Sequence, residues 1–139
     1  MLVCDASGLL AYFDSSHVDC PRVSSVIEAD PGPFVVSPYV VAELDQLLAG
    51  REGLRARSAV LTELSGGAWE LPRIEAADLQ DMRTLIDRQR DRGIDIVDAS
   101  LVLLARRYRT DRLLTLDRRR FRVIRTSTGR PFKLLPSSS

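Results

Sequence analysis

The sequence predicts an α/β protein, a three-layer α/β/α fold with a short central parallel sheet, built as one domain over residues 1–139. Short apolar runs (LVC, FVV, LLTL) alternate with helical segments in the order βαα, βαα, βαα, β, and such alternation predicts a parallel sheet with helices on both faces. The length of 139 residues suits a single core, and no repeat, linker or low-complexity stretch divides it.

The elements follow in order. MLVC predicts a buried strand that ends at Asp5, and SGLLAYF a brief helix with Ser7 as its N-cap. A second helix is expected from about Asp19 through RVSSVIEA to the stop signal DPGP. FVVS (34–37) predicts the next strand, and Pro38 suits the first turn of the helix YVVAELDQLLAG. There Val40, Val41, Leu44, Leu47 and Leu48 form an apolar stripe, with Glu43 in the second turn. LRARSAVLTEL predicts a helix that stops at Gly66-Gly67, and WELPRI a third strand, edge-like because of Pro72. EAADLQDMRTLIDRQRDRG predicts the longest helix, with Leu79, Met82, Leu85 and Ile86 inward and Gly93 closing it. IDIVDASLVLLARRYR predicts a further helix carrying Asp95 and Asp98 in its first turn. RLLTL is a strand ending at Asp117, followed by a basic loop and a last strand at RVI; the tail from about residue 130 is expected to be irregular.

Composition excludes several classes. No apolar run approaches the roughly 18–20 residues of a membrane span. MLVCDASGLL has no basic n-region, so no signal peptide is expected and a cytoplasmic location is. Cys4 and Cys20 do not make a disulfide framework, and Cys4 reads as a small buried hydrophobe. The one histidine, His17, reads as a solvated loop residue and leaves no His set for zinc or for paired acid–base chemistry.

The net charge is +1, but residues 1–70 carry 4 basic and 10 acidic side chains while residues 71–139 carry 16 and 9. From Arg106 onward the ratio is 11 to 2, and 19 of the 20 cations are arginine. Clustered arginine suits bidentate contact with phosphate, so a polyanion such as nucleic acid is the expected partner.

In an open parallel sheet, ligands bind at the carboxyl ends of the strands. Asp5 and Asp117 fall at strand carboxyl ends, and Glu43 and Asp98 in early turns of helices that begin there, so four acids should converge. Singly, each has an ordinary role as a cap or a solvated residue. Together they would repel one another unless a cation sat among them, and hard Mg²⁺ or Mn²⁺ suits an all-oxygen set. Such an ion could activate water for phosphodiester hydrolysis, with Arg118, Arg119 and Arg120 holding the nucleic-acid backbone beside it.

VCDAS (3–7), VAEL (41–44), DIVDASLVLLA (95–105) and LLTLDRRRF (113–121), in that order and at those spacings, resemble the PIN-domain ribonucleases, and among them the VapC toxins of bacterial VapBC toxin–antitoxin pairs. The resemblance runs from Leu2 to about Ile124. It implies that Asp5, Glu43, Asp98 and Asp117 are the catalytic acidic quartet, with Asp5, Asp98 and Asp117 as metal ligands and Asp5 and Asp98 the principal ones. Ser7 and Thr115 match supporting hydroxyl residues and Phe121 a following aromatic; Asp95 is an extra acid, a cap or an outer partner. The resemblance further implies a Mg²⁺-dependent endoribonuclease (Mn²⁺ as substitute) that cleaves structured RNA, tRNA or ribosomal RNA loops. A homodimer, a cognate VapB-type antitoxin and a higher-order complex with it are also implied.

Other readings fit less well. A HAD-type phosphohydrolase wants a second Asp where Ser7 stands and a lysine that Lys133 does not supply. A receiver domain fails on the same lysine. A non-catalytic or rRNA-processing PIN-type RNA-binding protein is the alternative within the family, and the four intact acids argue against a degenerate site.

Overall fold

Leu2–Cys4 form β1, and each of the three residues is fully buried. An apolar run without alternation is what a strand covered on both faces requires. In the computed structural model, which describes residues 1–51 and 53–138, β1 is joined by β2 (Phe34–Val35), β3 (Arg112–Leu114) and β4 (Lys133–Leu135). Every pairing is parallel and the strand order is β2-β1-β3-β4. Val3 lies opposite both Val35 and Leu113, and Leu114 opposite both Cys4 and Leu135. The chain therefore leaves β1 for β2 on one side and returns to β3 on the other. The order reverses between β1 and β3, where a crevice opens at the strands' carboxyl ends.

The helices are α1 (Ala6–Phe13), α2 (Cys20–Ala29), α3 (Pro38–Arg51), α4 (Leu54–Ser65), α5 (Ala76–Arg88), α6 (Ile96–Arg107) and α7 (Arg118–Val123), with a 3-10 turn at Arg90–Arg92. They make the three-layer α/β/α arrangement around the short sheet: α1 packs on α2 and α3, α5 on α6, and α6 on β1. Helix α6 is buried continuously from Asp98 to Ala105, which explains why SLVLLA carries no polar face of its own.

Two residues outside the predicted motifs fix the frame. A Cβ on Gly8 would stand 2.8 Å from Leu114 Cγ and 3.1 Å from the Leu114 carbonyl oxygen, so α1 can rest on the end of β3 only because residue 8 has no side chain. At the opposite end of the sheet, Asp30 accepts hydrogen bonds from the Met1 amino group (2.6 Å), the Gly32 N–H (2.8 Å) and Arg112 Nη2 (3.0 Å). One buried carboxylate thus ties the entry points of β1, β2 and β3.

The structure corrects several expectations. WELPRI is not a strand; Glu70 alone makes a parallel bridge to Val35, since Pro72 removes the donor that a continuing ladder needs. The basic loop is helix α7, and RVI belongs to its end rather than to a strand. The last strand is β4, in the tail expected to be irregular, because KLL finds β3 as a partner. Ser7 lies inside α1, whose N-cap is Asp5. The strand at FVVS is only two residues long. Leu47 and Leu79 face outward from the stripes that predicted them as core, at 39% and 45% exposure. His17 is half-buried, its Nδ1 accepting from the Asp19 N–H at 3.0 Å. Cys4 is buried as expected, and burial pushes its thiol pKa well up.

Candidate active site

Asp5, Ser7, Glu43, Leu47, Asp95, Val97, Asp98, Asp117, Arg120 and Phe121 line one pocket of about 320 Å³ at the crevice between β1 and β3. The four predicted acids come together there from four separate segments. Asp5 and Asp98 form its buried floor, at 6% and 3% exposure, while Glu43 and Asp117 stand at the exposed rim.

Asp5 directly follows β1, and its N–H extends the sheet by donating to the Leu114 carbonyl at 2.9 Å. Its side chain is aimed by two hydroxyls that share one oxygen. Ser7 Oγ donates to Asp5 Oδ2 at 2.8 Å, and Thr115 Oγ1 donates to the same atom at 2.9 Å. Each hydroxyl is itself oriented by a backbone donor: Leu116 N–H to Ser7 (3.0 Å) and Asp117 N–H to Thr115 (3.0 Å). Ser7 and Thr115 thus both contact Asp5 through Oδ2, with Oδ1 outside both bonds.

Asp95 and Asp98 form a reciprocal capping box at the start of α6: Asp98 N–H donates to Asp95 Oδ1 (2.9 Å) and Asp95 N–H to Asp98 Oδ2 (3.0 Å). Burial drives the Asp98 pKa upward; Arg120 and the Asp95 N–H pull against that, and the shift remains upward. Glu43 is also raised, by desolvation first and then by the charges of Asp5, Asp95 and Asp98. Both shifts arise first from burial, with neighbouring acids adding to them. Asp117 caps α7, its Oδ1 accepting from the Arg120 N–H at 3.3 Å.

Two serines that no motif singled out set the distance between the walls. Ser37 and Ser100, both fully buried, meet Oγ to Oγ at 2.8 Å, and Ser100 Oγ also donates to the Val97 carbonyl at 2.6 Å. They join the start of α3, which carries Glu43, to α6, which carries Asp98. The signal was available: a polar residue two after Asp98 inside an otherwise apolar helix must find a partner.

The three arginines expected to hold RNA divide. Arg118 Nη1 donates to the Pro136 carbonyl at 2.7 Å and so holds the tail beyond β4. Arg119 is exposed. Arg120 turns into the pocket, its Nε donating to Asp98 Oδ1 at 2.9 Å and its Nη2 to Asp98 Oδ2, with Asp95 Oδ2 3.3 Å from Nη2. Desolvation works against that guanidinium, but the hydrogen bonds to Asp98 win and its pKa rises further.

Among the described residues, no group of three or more His, Cys, Asp or Glu side chains is arranged to hold a metal ion as the side chains stand. The donor chemistry nonetheless fits a hard dication. Five carboxylates and one guanidinium line the pocket, all donors are oxygen, and a cation already stands on the most buried acid. Asp5, Asp98 and Asp117 are the residues that could hold an ion there, with Glu43 beside them at the rim.

Residues 2–126 match the PIN domain model. The chain belongs to the PIN-domain family. This PIN domain is 47% identical over 135 residues to Ribonuclease VapC26 of Mycobacterium tuberculosis, an alignment that covers 97% of this chain and all of the relative. It is thus a VapC-type PIN protein. Among solved structures it superposes on M. tuberculosis VapC20, described as a Sarcin-Ricin loop cleaving toxin, with a TM-score of 0.77 at 19% identity, over 84% of this chain and 90% of that one. FitAcB from Neisseria gonorrhoeae aligns with a TM-score of 0.63 at 17% identity, over 96% and 97% of the two chains. These distant matches show a shared fold.

Proposed function

We propose that this chain is a metal-dependent endoribonuclease toxin of a VapBC-type toxin–antitoxin pair. It is a hydrolase acting on RNA, with Asp5, Glu43, Asp98 and Asp117 as its catalytic acids. The observation that carries the reading is the convergence of those four carboxylates, from four separate segments, on one pocket at the reversal point of the sheet. The 47% identity to a named ribonuclease over nearly the whole chain supports the same activity.

Asp5, Asp98 and Asp117 would hold Mg²⁺, with Mn²⁺ as a substitute, and the bound ion supplies a Lewis acid that activates water and steadies charge on the phosphoryl group. The protein's own part is positional. Ser7 and Thr115 fix the Asp5 carboxylate with Oδ2 occupied, so that Oδ1 is the oxygen offered outward. Glu43, its pKa raised by desolvation and by the charges of Asp5, Asp95 and Asp98, stands at the rim as a group able to take or return a proton. Exposed Arg119, rather than Arg118 or Arg120, is the member of the basic run free to meet the RNA backbone.

The substrate is a structured RNA, a tRNA or ribosomal RNA loop, and cleavage stops translation and growth. A VapB-type antitoxin neutralises the enzyme; a solved relative of the fold is a toxin–antitoxin complex from Klebsiella pneumoniae. The single domain works as a homodimer, in a larger assembly with the antitoxin. The proposed setting is the cytoplasm, where the RNA substrate and the antitoxin would be met; no helix among the described residues is long and apolar enough to cross a membrane. Induced expression in a bacterial host tests this reading. Growth should stop, and mapping of new 5′ ends in total RNA should give one or a few discrete cuts that disappear with Asp5→Asn. Unimpeded growth with soluble protein and an intact RNA pool would contradict it.

A further inference from the structure

Arg120 has a place in this pocket that a phosphate-binding residue does not need. Its planar fork covers both oxygens of Asp98, Nε on Oδ1 at 2.9 Å and Nη2 on Oδ2, while the Asp95 N–H takes a further position on Oδ2 at 3.0 Å. A bidentate fork occupies the outward edge of a carboxylate, the edge a cation would approach. Among the described residues, Arg120 is the one cation lining the pocket, against five acids. It also touches a second member of the quartet, since its backbone N–H donates to Asp117 Oδ1 at 3.3 Å. Its side chain is 37% exposed, whereas that of Asp98 is 5% exposed, so the guanidinium has a route to solvent and the carboxylate does not.

We propose that Arg120 is a resident counter-ion of the acidic pocket, exchanged for the divalent cation, so that guanidinium and metal take the Asp98 carboxylate in turn. This rests on the metal-dependent reading of the pocket. Without metal, Arg120 supplies the positive charge that the buried Asp98 carboxylate is paired with. With Asp98 engaged as a metal ligand, the Arg120 guanidinium would be released from the fork and its donors would turn to solvent, where a phosphate oxygen could take them. The exchange explains why the acids converge and yet are not arranged as a metal cage among the described residues: the side chains show the arginine-held state. Arg120 is therefore a positioning residue for metal loading rather than a constant part of the RNA surface.

The test is calorimetric Mg²⁺ and Mn²⁺ titration of the full chain, with melting temperatures in EDTA and in excess Mg²⁺. The proteins are wild type, Arg120→Ala, Arg120→Lys, Arg122→Ala and Asp98→Asn. The exchange predicts that Arg120→Ala binds Mg²⁺ about tenfold or more tighter than wild type, the equivalent of one charge-assisted contact no longer displaced. It should also melt lower than wild type in EDTA and gain more from Mg²⁺. Arg120→Lys, which keeps the charge but loses the fork, should fall between the two, and Arg122→Ala, on the exposed side of α7, should match wild type. Equal or weaker Mg²⁺ binding by a folded Arg120→Ala overturns the exchange alone. So does Arg120→Lys behaving as wild type, which would reduce the effect to net charge. If neither folded wild type nor Arg120→Ala binds either ion, the metal-dependent reading itself fails and the exchange with it. Wild-type affinity in Asp98→Asn would remove Asp98 from the metal and overturn the exchange as well.

Discussion

Single atoms decide what each acid in this chain can do. Asp5 and Asp30 are both buried, yet Asp30 has its oxygens filled by an amino group, an N–H and an arginine, whereas Asp5 has its two hydroxyl donors on Oδ2. The first is committed to structure and the second is held ready. Thr115 is what holds it, and the hydroxyl does two jobs at once, donating to Asp5 and accepting from the Asp117 N–H. Thr115→Val keeps the shape, loses the donor and leaves that N–H without its acceptor. It should lower stability by about 1–3 kcal/mol and cut RNA cleavage well beyond the loss expected from unfolding, measured as activity per folded molecule beside a denaturant curve. Wild-type specific activity in Thr115→Val would mean that Asp5 needs no aiming. The arginines divide at this scale too. Arg119→Ala should flatten the salt dependence of RNA binding by up to roughly one unit of log–log slope, the loss of one phosphate contact. Arg118→Ala should leave the slope alone and loosen the tail at Pro136.

Among the elements, the sharpest constraint is where α1 meets β3. Gly8→Ala gains helix propensity, about 1 kcal/mol, but places a methyl group 3.1 Å from the Leu114 carbonyl oxygen and 2.8 Å from its side chain. Backbone cannot give way there as a flexible side chain could, so overpacking at a cost of roughly 1–3 kcal/mol should dominate. Gly8→Ala should therefore melt lower than wild type and lose activity, since the same movement separates Ser7 from Asp5 and Thr115; a higher melting temperature would refute the close approach. How much could be read beforehand follows the same physics. The elements that position the acids are legible: β1 and β3 as short apolar segments leading to Asp5 and Asp117, α3 by Pro38 and its apolar stripe, and α6 by the apolar run that follows Asp98. Helix α7 is not, because an arginine run has no apolar period, and the element is set by the Asp117 cap and by buried Phe121. Nor is β4, whose three residues become a strand only through pairing with β3. The inward turn of Arg120 was equally hidden: composition assigns an arginine to phosphate, whereas the choice of Asp98 depends on how α7 sits against the start of α6 once β3 has joined the sheet.

Across the whole molecule, the two ends of the sheet divide stability from chemistry. The amino end is fastened by Asp30. Burial works against its ionisation, but the Met1 amino group, the Gly32 N–H and Arg112 outweigh burial and hold its pKa below the usual value. A depressed native pKa means that the contribution is present above the unfolded pKa of about 4 and is lost as pH falls through the lower native value. Melting of wild type and Asp30→Asn across acid pH should accordingly show a gap near neutrality that narrows below about pH 4; a constant gap would place the role of Asp30 elsewhere. The carboxyl end carries Asp98 and Glu43, whose pKa values burial raises, and it is the end where we propose that an ion and RNA bind. Cleavage of total bacterial RNA by the purified chain, in Mg²⁺ and in EDTA, beside Asp98→Asn, tests that division most directly. The pocket described predicts discrete fragments in Mg²⁺ alone, absent with EDTA and absent in a folded Asp98→Asn. Fragments that persist in EDTA or in Asp98→Asn would contradict it.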